Sequence, residues 1–349
     1  MKNMLIKNTL TFVFAWAGIC FSQTLVAGDH YYNGYSKSGK YHEAEILLDV
    51  PYADLSSSQL MDIYIPEGYG NAPVIVLIHG GGFFRGSKSS RNLVAKAEYL
   101  QNAGYVVASI DYRLSGEANF PAPVHDCKAA VRFLRANARA YYIDKRRIGA
   151  WGESAGANLA AMLGTSAGID ALEGEELGNS RQSSKIQAAV LWFPPVNFLT
   201  QEQEALDLGF VIDVNGPDSP ESLYMGFPVQ TDPKTVYQAN PTTYIDKTDP
   251  SFYIQAGDAD ILVPYTQSQN FFFALCPIYQ ETKNKVAIFE LLPGVGHGDG
   301  RNNPNPFWET EATYQKQVDF FDEYLRDAHH FDPHYLHKYK DYFWQRWKK

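Results

Sequence analysis

The sequence predicts an α/β fold, a mostly parallel central sheet with helices on both faces. Three observations predict it. Short extended runs alternate with helical stretches from about residue 45 to 326. The run Pro73-Val-Ile-Val-Leu-Ile-His79 is continuously apolar up to its last residue, the pattern of a strand covered on both faces. Glycine-rich turns stand directly behind several of the predicted strands.

Residues 45–50 and 60–66 are extended runs separated by polar residues 54–59, which predicts an opening antiparallel hairpin. The buried strand 73–79 follows, then a helix over about 89–103 and a strand over 105–111. Pro123 opens a helix running to about residue 140, with Ala129, Ala130, Phe133 and Leu134 on one face. Residues 147–151 read as a strand and 155–163 as a helix of small residues. Further strands are predicted at 185–193, 251–256 and 285–292, and helices at about 264–275 and 310–326. Residues 196–247, rich in Pro, Gly and Asp, read as an irregular insertion of the lid or specificity type between two core strands. No repeat and no long linker divides the chain, so residues 28–330 are expected to form one domain.

The 349 residues are 45% apolar and 20% charged, an ordinary globular composition that excludes a disordered or fibrous chain. A net charge of −9 removes any global electrostatic reason to bind nucleic acid or an anionic membrane. Residues 1–27 read as a secretory signal: Lys2 and Lys7, an apolar run over 9–21, and a small-residue exit ending at Ala27. That run is too short to span a bilayer comfortably, so no stable membrane span is expected and the mature chain is assigned to the periplasm or the exterior. Cys20 follows Ala17-Gly18-Ile19, and the bulky Ile fits poorly with a lipid-attachment site. Cys127 and Cys276 are left open between buried thiols and a bridge. The tail, residues 331–349, carries seven aromatic and five basic side chains, Trp344, Trp347, Lys348 and Lys349 among them, and is expected to pack on its own domain or to sit at a surface. His330, His334 and His337 within and beside it lack the partners of a zinc site.

The strongest chemical signal is Gly152-Glu153-Ser154-Ala155-Gly156, between the strand ending at Trp151 and the helix beginning near Ala155. A nucleophilic hydroxyl must be lifted clear of the sheet on a sharp strand-to-helix turn, and flanking glycines tolerate the crowding this brings. His79-Gly80-Gly81-Gly82-Phe83 stands behind strand 73–79. Main-chain N–H groups of Gly81 and Gly82, with Ala155 at the start of the next helix, are candidate donors to an oxyanion. His79 itself belongs to the turn and reads as structural. Gly294-Val295-Gly296-His297-Gly298 follows strand 285–292 and offers His297 as the base. Gly257-Asp258-Ala259-Asp260 follows strand 251–256 and offers two carboxylates to orient it. Asp260, four residues before the helix-opening Pro264, is preferred to Asp258. Phe83, Phe84, Glu153 and Trp192 are the candidate substrate-pocket residues, with Phe193, Pro194 and Pro195 beside Trp192 at the strand end, and for Trp192 core packing is an equal alternative.

The chain order Ser154, Asp260, His297 is that of the α/β-hydrolases. Together with Asp111-Tyr-Arg-Leu114, Phe120-Pro-Ala122, Asp126-Cys-Lys-Ala-Ala-Val131, Arg147-Ile-Gly149 and Asn240-Pro-Thr-Thr-Tyr244, it resembles the α/β-hydrolases that include hormone-sensitive-lipase-like esterases and bacterial feruloyl/acetyl-esterase-like enzymes. The match runs over about residues 45–326. It departs in carrying Ala256-Gly257 where the family usually has His-Gly, and Glu153 where Asp, Ser or Gln is also common. The resemblance implies an exported serine carboxylic-ester hydrolase, working without metal or organic cofactor on small or polysaccharide-linked acetyl or feruloyl esters. Two other readings use the same residues: a serine peptidase of this fold, and a hydrolase-like binding protein without turnover. The accessory domain of prolyl-oligopeptidase-like enzymes is not evident, and none of the catalytic candidates has been lost.

Overall fold

Eight strands form the main sheet of the computed structural model, which describes residues 41–282, 284–298 and 307–326. The predicted leader and the aromatic tail lie outside the described residues. The strands are β1 (Glu45–Pro51), β2 (Leu60–Ile65), β3 (Ala72–Ile78), β4 (Val106–Ile110), β5 (Ile143–Glu153), β6 (Ala188–Trp192), β7 (Ser251–Gly257) and β8 (Ala287–Leu292). Their spatial order is β8-β7-β6-β5-β3-β4-β2-β1. Every pairing from β4 across to β8 is parallel. Only β2 runs the other way, antiparallel to β1 and to β4, which completes the predicted hairpin. A separate two-residue ladder joins Tyr41–His42 to Gly68–Tyr69.

Parallel strands need covered crossovers, and the helices supply them on both faces. They are α1 (Arg91–Asn102), α2 (Ala122–Ala136), α3 (Ala155–Thr165), α7 (Tyr265–Tyr279) and α8 (Glu311–Arg326), with α4 to α6 inside the insertion. The period-2 alternation of β3 sorts its apolar residues between two cores. Val74, Val76 and Ile78 join the layer containing Val131 of α2, Leu159 of α3 and Phe271 of α7. Ile75 and Leu77 join Leu93 and Leu100 of α1 and Phe321 of α8. Cys127 is a fully buried thiol on α2, so a Cys127–Cys276 bridge is not formed.

Residues 196–247 differ from the expectation of irregular structure. Three short helices lie there, each started by a side chain accepting an N–H of its own first turn. Asn197 accepts from Leu199 ahead of α4 (Phe198–Asp207), Ser219 from Ser222 ahead of α5 (Pro220–Met225), and Asp232 from Thr235 ahead of α6 (Pro233–Val236). A 3-10 turn, Pro241–Tyr244, starts behind Asn240 in the same way. Several of the Pro and Asp that read as loop composition, with Asn and Ser beside them, are first-turn prolines and helix caps.

Trp192, proposed from the sequence as a pocket wall, requires a correction. Ala188, Val190 and Trp192 share one face of β6, and that face points toward α1 and α8. The indole is fully buried, its centroid 4.8 Å from Trp151 and 5.0 Å from Trp308, and its Nε1 donates to Gln255 Oε1 at 2.8 Å. Strand parity therefore assigns it to the core, and Phe193, one residue on, turns toward the site. Trp192→Ala is expected to lower unfolding free energy by about 3–5 kcal/mol, the usual cost of emptying a large aromatic site. Denaturant titration checks this; a loss below about 1 kcal/mol contradicts the core placement.

Candidate active site

The turn between β5 and α3 is built by close packing. A Cβ added to Gly152 would stand 2.1 Å from Gly156 O, and one added to Gly156 would stand 2.2 Å from Ile78 O. Neither position has room for a side chain. The chain squeezed between them carries Ser154 at φ 53° and ψ −122°, strained for a residue with a Cβ. Its N–H is taken by Trp192 O at 2.9 Å and its C=O begins the ladder of α3. Only the hydroxyl is left facing outward.

That hydroxyl lies 2.9 Å from Nε2 of His297, which the loop after β8 brings across from the far side of the sheet. The other ring nitrogen, Nδ1, is 2.7 Å from Asp260 Oδ2. Asp260 is 2% exposed, and its Oδ1 accepts the N–H groups of Leu262 (2.8 Å) and Val263 (2.9 Å). The carboxylate is thus fixed before it meets the imidazole, and it accepts a hydrogen bond from the Nδ1–H. Nε2 is left as the acceptor for the Ser154 hydroxyl. Asp258, the other candidate acid, is exposed and accepts the Gly294 N–H at 2.6 Å, bracing the histidine loop instead. Phe193 packs 4.4 Å from the His297 ring. Behind it Trp308 donates to Gly296 O at 3.0 Å.

The glycine turn after β3 faces this group. Gly81 has φ 113°, and a Cβ there would fall 2.1 Å from Arg85 O. Among the described residues the N–H groups of Gly81, Gly82 and Ala155 donate to nothing else. His79 serves the turn. It is 2% exposed, stacks 4.3 Å from Tyr112, and donates from Nδ1 to Gly80 O at 2.7 Å. Burial holds its pKa below the usual histidine value, the Gly80 contact and the Asp111 charge only partly opposing it.

Glu153 directly precedes Ser154 in the turn and lines the same cleft. Burial acts to raise its pKa, but the Lys96 charge and hydrogen bonds from Lys96 (2.9 Å) and Asn92 (2.6 Å) prevail and hold it below the usual carboxylate range. Lys96 is itself 2% exposed, reaches Glu309 at 2.7 Å, and lies 4.8 Å above the Trp192 ring. Sequence reasoning missed Lys96, Glu309 and Asn92 as parts of the site, whereas Phe193, directly after a core strand, is among the apolar groups expected to shape the pocket and does line it.

Ser154, His297, the glycine turn, Glu153, Asn92, Glu309 and Phe193 line one cleft of about 760 Å³, and Asp260 and Lys96 stand behind its walls. It takes in Ser154, His297, Gly81, Gly82, Ala155, Glu153 and Phe84 of the sequence-proposed residues, and Trp192 is not among its walls. Phe83 borders it, but the ring is buried, stacked 4.0 Å on Tyr224 of α5. The insertion supplies a further wall that includes Gln201, Val211 and Glu221, and the Asp260 loop adds Ile261 and Leu262.

Residues 61–275 match the family model BD-FAE. A truncated carbohydrate esterase from gut microbiota is 30% identical at a TM-score of 0.70, over 84% of this chain and 99% of that one. The bifunctional GH43-CE of Bacteroides eggerthii is 33% identical, also at 0.70, over 80% of this chain and 35% of that one. Esterase LipC of Mycobacterium tuberculosis is 25% identical over 251 residues, 71% of this chain and 59% of that protein. The chain thus spans about three-fifths of the length of the curated relatives first matched. With eight strands in this order, a strained serine behind β5 and a family match through both, the chain belongs to the BD-FAE family of α/β-hydrolases.

Proposed function

We propose that the protein is a serine carboxylic-ester hydrolase acting through an acyl-enzyme. The observation that carries this is the continuous hydrogen-bonded path from Asp260 through His297 to Ser154 at the mouth of the cleft. Ser154 Oγ bonds to the ester carbonyl carbon as His297 Nε2 takes the hydroxyl proton. The carbonyl π pair moves onto oxygen, where the N–H groups of Gly81, Gly82 and Ala155 hold the charge. Collapse breaks the bond to the alcohol oxygen, and His297 returns the proton to that leaving group. Water then repeats the sequence on the acyl-serine, releasing the acid and restoring the hydroxyl. Asp260, accepting from Nδ1–H, keeps the imidazole in the tautomer that accepts at Nε2.

The substrates proposed are small carboxylesters, acetyl or feruloyl groups on polysaccharide included. Relatives described as esterases and as carbohydrate esterases support that range. So does the exposed apolar rim of Phe84, Val211, Ile261 and Leu262. We further propose that residues 1–27 direct the chain out of the cytoplasm and are removed, on the leader pattern of Lys2, Lys7 and the apolar run behind them.

Turnover of 4-nitrophenyl acetate, methyl ferulate and acetylated xylan tests the reaction. Ser154→Ala is expected to lower kcat by at least about a thousandfold. Asp260→Asn should cost about 10³–10⁴-fold by favouring the wrong imidazole tautomer, against a few-fold at most for Asp258→Asn. A folded wild-type protein inert on the whole panel, or an undiminished Ser154→Ala, sinks the assignment. For export, amino-terminal sequencing of protein recovered outside the cytoplasm is expected to begin at about Gly28. Retention in the cytoplasm with the leader intact contradicts it.

A further inference from the structure

We propose that Gln201 and Glu221 form a hydroxyl-binding subsite for the alcohol portion of the ester, so that the cleft selects esters of a neutral sugar over those of an apolar alcohol. This rests on the hydrolase reading above and names the residues that give it a substrate class.

Gln201 of α4 and Glu221 of α5 both line the cleft, at 1% and 7% exposure. Gln201 Nε2 donates to Glu221 Oε1 at 3.1 Å. Its Oε1 is buried and meets no hydrogen-bond donor among the described residues. A buried acceptor left unsatisfied is a cost to the fold, and a ligand hydroxyl that donates to it removes that cost. Burial, with the Asp213 charge adding a smaller effect, pushes the Glu221 carboxyl up to about 7, although Gln201 opposes it. Around neutral pH both of its forms are therefore populated. Each has a use for a hydroxyl, the acid as donor and the carboxylate as acceptor.

The subsite is fixed relative to the nucleophile. A Cβ built on Gly82 would stand 3.1 Å from Pro220 Cβ, so the first turn of α5 rests on the glycine turn that faces Ser154. Three residues beyond Glu221, Tyr224 stacks on Phe83 of that same turn. Phe84, 40% exposed in the cleft, offers an aromatic face of the kind that packs against the C–H side of a pyranose. Charge decides which sugar. The carboxylates of Glu153 and Glu309 are engaged with Lys96, whereas Asp213 and Glu221 of the insertion wall have no cation bonded to them among the described residues. At that wall a uronate meets two carboxyl groups and a neutral sugar does not, while the Arg85 guanidinium stands apart from it, over the Phe84 ring.

Two substrates separate this from the hydrolase reading itself: 4-nitrophenyl acetate, whose leaving group carries no sugar, and an acetylated xylo-oligosaccharide. In the full chain, Gln201→Met is expected to lower the ratio of kcat/KM for the oligosaccharide to that for 4-nitrophenyl acetate about fivefold, through KM, as the loss of one hydrogen bond implies. Glu221→Gln, which keeps the shape and part of the hydrogen-bonding capacity, is expected to shift the ratio less. A ratio within 1.5-fold of wild type in Gln201→Met overturns the proposal. Where that variant melts early, Gln201→Asn, which withdraws the amide by one methylene, should move the ratio the same way. Calorimetric titration of the xylo-oligosaccharide onto Ser154→Ala, with and without Gln201→Met, gives a readout independent of turnover. Binding about fivefold weaker in the double variant supports the subsite, and unchanged or absent binding in both proteins removes it. A wild type that cleaves neither ester fails the hydrolase reading alone, and the titration still decides the subsite.

Discussion

The close approach of the first turn of α3 to the end of β3 is the constraint on which the site depends. Gly156 lies under the carbonyls of Ile78 and His79 with no space for a methyl group, and Gly152 lies as tightly against Gly156. A chain turning from strand to helix in that gap has one way through, and it leaves Ser154 in a left-handed conformation with its hydroxyl outward. Parallel pairing does the rest. Because β3 and β5 to β8 all point the same way, their following loops emerge along one edge. Side chains 143 residues apart in sequence meet there at hydrogen-bond distance. The intervening strand, β6, has to give way between them. Its end does so at Phe193, whose φ of 42° turns the ring under His297 while its N–H is held by Gln255 O.

Electrostatics beneath the cleft follow from the same crowding. Glu153 is drawn in with the nucleophile turn, and a lone carboxylate at that depth would be costly. Lys96 offsets it, and its ammonium is shared with Glu309 and rests over Trp192. Buried ion pairs of this kind add little net stability, but they are exacting about position. This one ties α1, the end of β5 and the approach to α8 into a single floor. The Trp192 core beneath it and the site above it are therefore not independent: the indole that fills the core is also the surface on which the lysine rests.

Much of this was legible in the sequence, and the exceptions have physical causes. The alternation of apolar strands and helices gave the sheet, because parallel strands covered on both faces must be continuously apolar. The three glycine-bracketed motifs gave Ser154, His297 and the glycine turn, because tight turns at strand ends demand glycine in the backbone itself. Asp260 over Asp258 followed from its distance to Pro264, and the paired N–H groups of Leu262 and Val263 explain why that spacing matters. Trp192 was left between pocket and core because a residue's face depends on strand register, and a one-residue difference reverses it. The insertion was misread because Pro and Asp serve loops and helix starts alike. Lys96 and Glu309 were beyond reach: 213 residues separate them, and no periodicity connects them.

The insertion and the glycine turn fit each other too closely to be treated as separate parts. One side of the turn carries Gly81 and Gly82, which line the cleft together with Ser154. Its other side carries Phe83, fully buried between Tyr224 of α5 and Phe198 of α4. The backbone proposed to hold developing charge is thus clamped by the segment that walls the cleft. Ser219 caps α5 and bonds Val214 O at 2.7 Å, so the clamp reaches the loop bearing Val211 and Asp213. A rigid donor pair needs support of this kind, since N–H groups that had to reorganise during reaction would forfeit part of what they stabilise. The helices read from composition as loose are, on this argument, what lets a run of glycines hold one geometry.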